Sequence, residues 1–373
     1  MMDPATALWI DTYRTFFPRF KAGVRMLLNI NRARDFYIGT PIRGLLYSDS
    51  PIALLFKEVN GQLPITYFLE HAQNGEEELV RMMRELVMAG LIKLQESAEI
   101  SFVTDLNQSQ RNFRERLQPE HSLSDWRLIP MDEARALEKV RRDFSVLIFG
   151  TKRLAIGLLS ILQASGFTNT KIIAGDRALM RDIDKSFAQE IVKPIDLCGM
   201  ALRISDIGVR KSQAIEMVSR NSQLENSESD TFPKRPSLII STEMAQPDYL
   251  QRWMSEGTAH LQISPLYESQ IEIGPLVLPG KSPCLRCVSL KRIGDDDLSH
   301  RIEMSAILDS APEIPASATA YITGLIALYI CELADTGSTE LIGKSIRINL
   351  FEPCNPEHIY HEPHSLCGCF EVI

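Results

Sequence analysis

The stretch Ser145-Val-Leu-Ile-Phe-Gly150-Thr-Lys-Arg-Leu-Ala155 decides how this chain is read. A continuous apolar run ending in glycine has the composition of a strand buried on both faces. A helical stretch, Leu154–Ser165, follows and stops at Gly166; a second strand pattern, Thr170–Gly175, ends at Asp176. Strand, glycine turn, helix, strand and acid, in that order, make the βαβ unit of nucleotide-binding folds. Ser237–Ser241 and His260–Ser264 supply further buried strands, with helix Pro247–Gly257 between them. The expected fold class is α/β, a doubly wound sheet covered by helices.

The loop itself is damaged. A working glycine-rich turn keeps small residues so that backbone N–H groups reach phosphate oxygens at a helix N-terminus. Against Gly-x-Gly-x-x-Gly, Gly150 keeps its place, but Lys152 stands at the second glycine and Ala155 at the third. Alanine is tolerable there. Lysine puts a side chain where the pyrophosphate would lie. Either Lys152 or Arg153 binds phosphate directly, or the fold no longer binds nucleotide. The second reading argues against catalysis inside this chain.

Four cysteines carry the other strong signal. Cys284 and Cys287 lie in Pro-Cys-Leu-Arg-Cys, and Cys367 and Cys369 form Cys-Gly-Cys about 80 residues later. A Cys-x-x-Cys knuckle places two thiolates on one tetrahedral Zn²⁺, and a second close pair completes the shell. Such a closed site is structural. A redox disulfide or plain buried thiols are the alternatives, and both leave the paired spacing as coincidence. Cys198, Cys331 and Cys354 remain as reduced core or surface thiols.

The chain has 373 residues, enough for two domains, and an ordinary globular composition with a formal charge of −8. That charge gives no general attraction to nucleic acid or to an anionic membrane. Met1–Ile10 lacks the basic start and apolar run of a signal peptide, so the cytoplasm is expected. The apolar run Ala318–Cys331 is short for a bilayer span and reads as a buried or dimer-interface helix, which makes a homodimer plausible. The polar stretch Asn221–Asp230 reads as an exposed loop.

Residues 1–97 read as a small α+β module. Val24–Ile30, Phe36–Thr40 and Ile42–Tyr47 have strand composition, followed by helical patterns over Pro51–Val59, Pro64–Gln73 and Glu76–Ala89, and a closing strand at Leu91–Leu94. The order is winged-helix-like. Eleven Lys and Arg against eleven Asp and Glu leave no basic face for DNA, so a peptide is the better ligand. Residues 98–140 are polar, with short helices expected at Gln108–Arg116 and Met131–Val140, and lead into the second domain, 98–373.

Weaker candidates are Lys211, either an anion contact or a solvated helix-start lysine, and His358, His361 and His364. The histidines read as surface residues or neighbours of the cysteine site. Asp295–Asp297 reads as a solvated turn.

Taken together, these residues resemble the ThiF-like, ubiquitin-activating-enzyme-like fold. Gly274–Cys287 and His364–Cys369 resemble one branch of it, the "ocin-ThiF-like" partner proteins of cyclodehydratases that make thiazole/oxazole-modified microcins. Pro18–Arg25, with the module behind it, resembles that branch's leader-binding clamp. The resemblance implies that the clamp holds the leader of a ribosomally made precursor peptide. It implies a YcaO-type partner enzyme that consumes the ATP and closes Cys, Ser or Thr onto the backbone as azolines, with a flavin-dependent dehydrogenase as a further partner. Zn²⁺ would be structural, the product a bacteriocin-like peptide. Adenylating relatives keep an arginine-bearing segment that Arg177 and Arg181 do not match, so an ATP-dependent adenylating enzyme is the alternative.

A leader can add as a strand to an exposed sheet edge. The expected edge is Ile42–Tyr47, with Leu45 and Tyr47 on one side of the strand and Met83, Leu86 and Val87 on the helix that closes the groove. The competing reading makes all five core residues.

Overall fold

Alternating buried and exposed runs fold into two compact units, Met1–Arg135 and Ala136–Ile373. The structure, a computed structural model, describes residues 3–29, 32–96, 108–127, 137–173, 189–220, 232–233, 235–305 and 312–370.

In the first unit, Asp3 caps helix Pro4–Tyr13, an element with no counterpart in the sequence expectations. Strand β1 (Phe17–Phe20) pairs antiparallel with β5 (Ile92–Gln95). A separate antiparallel sheet has the order β2 (Arg25–Asn29), β3 (Arg32–Gly39), β4 (Gly44–Tyr47). Its second hairpin needs small residues: a β-carbon on Gly44 would run into the ring of Tyr37. Pro51–Val59 forms a 3₁₀ helix, Ala53–Glu58, with no side-chain cap to start an α-helix. Helices Ile65–His71 and Glu76–Met88 follow. The latter has three glutamates in its first turn and buries Leu79, Val80, Met82, Met83, Leu86 and Val87 on one face. Gln108–Arg127 continues past the expected end at Arg116 despite Pro119 inside it. Its far half is tied to the first unit by Lys93–Asp125 at 2.7 Å and by Trp126 Nε1 donating to the Ala22 carbonyl at 3.2 Å. Those ties explain why the contact boundary falls after this helix rather than near residue 97.

The second unit is built on one sheet of order β12-β11-β10-β9-β8-β6-β7. Strands β6 (Val146–Phe149), β7 (Thr170–Ile173), β8 (Leu238–Ser241) and β9 (His260–Ile263) are parallel. Strands β10 (Gln270–Val277), β11 (Lys344–Asn349) and β12 (Glu357–Tyr360) continue it antiparallel. The sheet is therefore mixed, and the doubly wound expectation holds for its parallel part. Val146 and Ile148 pack on one face with helices Arg153–Ala164 and Ala316–Thr336, while Leu147 and Phe149 pack on the other with Tyr249 and Trp253 of helix Pro247–Ser255. Both faces are covered, which is why β6 and β8 carry no polar alternation.

Helix Ala316–Thr336 is long and apolar enough to cross a membrane, but half of its apolar window is buried, with Ile322, Ile326 and Ile330 in the core. Gly157 lets it approach, since Thr319 and Thr323 come within van der Waals reach of where a β-carbon would stand. Its C-terminus is anchored by Asp335, which receives both Nε (2.9 Å) and Nη2 (2.7 Å) of Arg141 from helix Leu137–Asp143. Both side chains are buried. Helix Leu285–Ser305 breaks its regular geometry at Asp296, whose carboxylate receives the Leu298 N–H at 3.1 Å. The expected turn at Asp295–Asp297 is thus a kink inside a helix. Asp176, Arg177, Arg181 and Asn221–Asp230 lie outside the described residues.

Candidate functional site

The carboxyl ends of β6 and β8 place the glycine loop against a second turn. Phe149 pairs with Ser241, so Gly150 meets Thr242. Gly150 has φ +125°, and a β-carbon there would strike Thr242 Oγ1. Thr242 donates its N–H (2.9 Å) and its hydroxyl (3.0 Å) to the Phe149 carbonyl. The Thr151 N–H, which a phosphate-binding loop would offer to its ligand, donates to Glu243 Oε1 at 3.0 Å. An anion is already bound there, and it belongs to the protein.

The basic residues of the loop are engaged as well. Lys152 is the N-cap of helix Arg153–Ala164, and Ala155 is wholly buried in the core. Arg153 Nη1 donates to the Ile314 carbonyl at 3.0 Å. Next along, Glu313 is held protonated to higher pH than usual by burial and by Asp196, while Lys152, Lys211 and Arg153 pull the other way. Lys211 is neither solvated nor free for an anion. It is 7 % exposed and pairs with Asp196 at 3.0 Å and Glu190 at 3.2 Å. Burial alone would lower its pKa, but the hydrogen bonds and charges of Asp196 and Glu190 raise it. Lys152, Arg153 and Lys211 thus face Glu190, Asp196, Glu243 and Glu313. Among the described residues, these three cations are each matched by carboxylates.

Glu243, Thr242, Asp196 and Glu313 were missed from the sequence. One signal was available for the first two: in a parallel sheet, residues just after neighbouring strands are adjacent, and Ser241-Thr242-Glu243 follows the strand beside the glycine loop.

At the other end of this unit the chain brings Cys284, Cys287, Cys367 and Cys369 together, all four sulfurs within 4.8 Å of one another. Cys284–Cys287, Cys284–Cys367 and Cys287–Cys369 are 3.9, 3.3 and 3.5 Å apart. Four sulfurs on one tetrahedral ion, each about 2.3 Å from it, would sit about 3.8 Å apart. The thiols fit a metal ion. Gly368, at φ +69°, reverses the chain so that Cys367 and Cys369 face the same pair.

Burial opposes ionisation of Cys287, yet N–H donors at the sulfur, led by His364 at 3.3 Å, hold its pKa below the usual thiol range. Burial and the crowding thiols push Cys369 up to about 11, and Cys367 further. A divalent cation relieves that mutual opposition. His364 serves through its backbone, and its Nδ1 accepts the Leu366 N–H at 3.2 Å. His361 Nε2 sits 2.7 Å from Ser345 Oγ, while His358 is exposed on β12. Cys198 and Cys331 are buried thiols and Cys354 an exposed one.

In the first unit, β4 is an edge strand of its sheet. Tyr47, Met83, Leu86 and Val87 belong to the core, and Leu45 packs half-buried against it. Burial and the neighbouring Glu85 raise the Tyr47 phenol above its ordinary range. Along the expected edge Ile42–Tyr47 the exposed large apolar residues are instead Ile42, 94 % accessible, and Leu46, 72 %.

No family model and no curated protein matches the chain. Solved structures do. The fold is shared with microcin biosynthesis enzymes. The microcin C7 biosynthetic enzyme MccB in complex with N-formylated MccA superposes with a TM-score of 0.60 at 15% identity, covering 95% of this chain and 99% of that one. E. coli MccB with ATP gives 0.59 at 14%, over 95% and 99%. The heterocyclase TruD gives 0.55 at 12%, over 95% of this chain but 42% of its own. The mixed sheet agrees with the ThiF-like α/β fold.

Proposed function

We propose that this chain is a non-catalytic, peptide-binding component of a ribosomal-peptide heterocyclisation complex. The first unit captures the leader of a precursor, and the second delivers it to a YcaO-type cyclodehydratase that consumes the ATP and forms azolines. The observation that carries this reading is Glu243 on the Thr151 N–H, with Thr242 against Gly150, where a nucleotide's phosphate would bind. An adenylating enzyme needs that position free for ATP.

Two further features support it. MccB is solved with N-formylated MccA, and an N-formyl group marks a ribosomally started chain. TruD, a heterocyclase, contains a region of the same fold amounting to less than half its length. Strand β4 offers a free edge whose backbone can pair with an extended leader. Leu45 and Tyr47 on its inner side, with Met83, Leu86 and Val87 behind them, then support the groove from within the core, while Leu46 and Ile42 meet the peptide directly. The four cysteines hold a structural Zn²⁺ that clasps the antiparallel part of the sheet. Cytoplasmic location, a flavin-dependent dehydrogenase downstream and a homodimer belong to the same reading.

A second reading has one observation in its favour: MccB has been solved with ATP. On that reading the chain adenylates a peptide or carrier C-terminus. Calorimetric titration with synthetic leader peptides from open reading frames beside the gene separates the two when run alongside ATP–pyrophosphate exchange. We expect micromolar or tighter binding, lost in Leu45→Asp and weakened at least about tenfold in Leu46→Asp, which leaves the core intact. Exchange should be nil. Exchange above background, or no leader binding, would overturn the proposal.

A further inference from the structure

A cleft of about 1060 Å³ lies over one face of the β9–β10 pair, walled by helices Pro247–Ser255 and Leu285–Ser305. Strand alternation sorts its floor. Leu261, Ile263, Ile271 and Ile273 point into the main core, leaving His260, Gln262, Ser264 and Glu272 on the cleft side. Its size is at the upper end for sites that take small ligands. It borders the turn after β8, where Met244 and Ala245 line it.

Nearly every polar group on this floor is spoken for. Gln262 donates its amide to the Glu243 and Ile263 carbonyls at 2.9 and 2.8 Å. Ser264 Oγ donates to the Pro265 carbonyl and accepts the Glu272 N–H. The Glu272 carboxylate receives Arg292 through both oxygens (2.8 and 2.9 Å) and Arg347 at 3.2 Å. Arg292 also reaches Glu303 at 2.8 Å, and Arg347 reaches Glu357 at 3.1 Å. Each of these charges has a partner of the opposite sign.

His260 is the exception. It is 1 % exposed, and its Nδ1 lies 2.9 Å from the Thr258 carbonyl. A carbonyl only accepts, so Nδ1 carries the proton and Nε2 presents a bare lone pair. Among the described residues that lone pair has no hydrogen-bond partner. Burial keeps the ring neutral, lowering its pKa to about 4 against the Thr258 hydrogen bond, so Nε2 remains an acceptor at neutral pH. A buried acceptor left unmet costs about 1–3 kcal/mol, which a donor in the cleft would recover. His300 Nδ1, on the opposite wall, is a second buried nitrogen without a hydrogen-bond partner. Met244, Met254 and Met304 complete the walls. Methionine adapts its shape and makes favourable sulfur contacts with aromatic rings.

We propose that this cleft binds a neutral aromatic group carrying one N–H or O–H, which it donates to His260 Nε2. The ring lies among the methionines and Leu250, Leu278 and Leu285, and a neutral ring leaves the pairing of Arg292 and Arg347 with Glu272, Glu303 and Glu357 undisturbed. An indole or phenol has this chemistry, either as a free molecule or as a tryptophan or tyrosine side chain of a peptide. The site stands independently of leader capture by the first unit.

The test uses the full chain with indole and 1-methylindole, in which a methyl group replaces the N–H donor. Calorimetry should show indole binding at least about tenfold more tightly, since methylation leaves Nε2 unmet. The His260 Nε2 ¹⁵N resonance should move with indole and stay with 1-methylindole. His260→Phe should abolish the discrimination, and Leu250→Trp, which narrows the cleft from helix Pro247–Ser255, should weaken binding of both. N-acetyltryptophanamide at least tenfold tighter than indole would assign the group to a peptide; equal affinity would assign it to a small molecule. Equal affinity for the two indoles, an unmoved Nε2 resonance, or no binding of indole overturns the proposal.

Discussion

The glycine loop and the cysteine cluster both announce themselves by spacing, and they end in opposite states. At the cysteines, residues about 80 apart in sequence converge to sulfur separations of 3.3 and 3.5 Å, and all four sulfurs point at one another. At the loop, strand, turn and helix are all in place, but Thr242 and Glu243 stand in the cradle. A ligand site is therefore defined by the space its motif encloses as much as by the motif. One signature gathers its donors around a point that suits a cation. The other has been closed by a side chain of the sign its ligand would have carried.

The comparison breaks most visibly at the cysteines. Cys287→Ser removes a buried ligand, and we expect loss of about one bound metal per chain and destabilisation of about 4 kcal/mol, read by metal analysis and denaturant melts. An unchanged midpoint in a metal-free variant would reduce the cluster to ordinary buried thiols. At the loop end, Lys211→Met leaves Asp196 and Glu190 without their cation, at a cost of about 3 kcal/mol. Because the Lys211 pKa is raised in the folded state, its contribution is complete below its unfolded value of 10.5 and fades as pH rises through the folded one. The wild-type advantage over Lys211→Met should accordingly stay flat from neutrality to about pH 10 and shrink above it. The smallest effect is the sharpest for function. Glu243→Ala should cost about 1 kcal/mol through the lost hydrogen bond. The wild-type chain should give no heat with Mg·ATP, and a clear wild-type isotherm would show that the carboxylate yields to phosphate.

The parallel part of the sheet was legible because strands buried on both faces leave continuous apolar runs, as Val146–Phe149 and Leu238–Ser241 do. The cysteine set was legible because ligand chemistry imposes spacing. The antiparallel extension was not, since β10 reads as a flank of the zinc knuckle and β12 is mostly exposed, with no apolar face to betray it. Helix Gln108–Arg127 was cut short because Pro119 is a local breaker, and only the tertiary ties of Asp125 and Trp126 override it. The groove residues divided for a similar reason. Periodicity found the buried face of Glu76–Met88 but could not say that the accessible side of β4 is Leu46 rather than Leu45. Lys211 resembled any helix-start lysine until Asp196, fifteen residues earlier, folded back onto it.

Glu243 has one consequence beyond the loop it fills. A tethered carboxylate is held at a local concentration that does not rise or fall with the cell's nucleotide pool. Whatever this end of the sheet contributes is therefore the same in a fed cell and a starving one. On the proposed function, any dependence on energy supply resides in the partner enzyme that consumes the ATP, and leader capture can precede it.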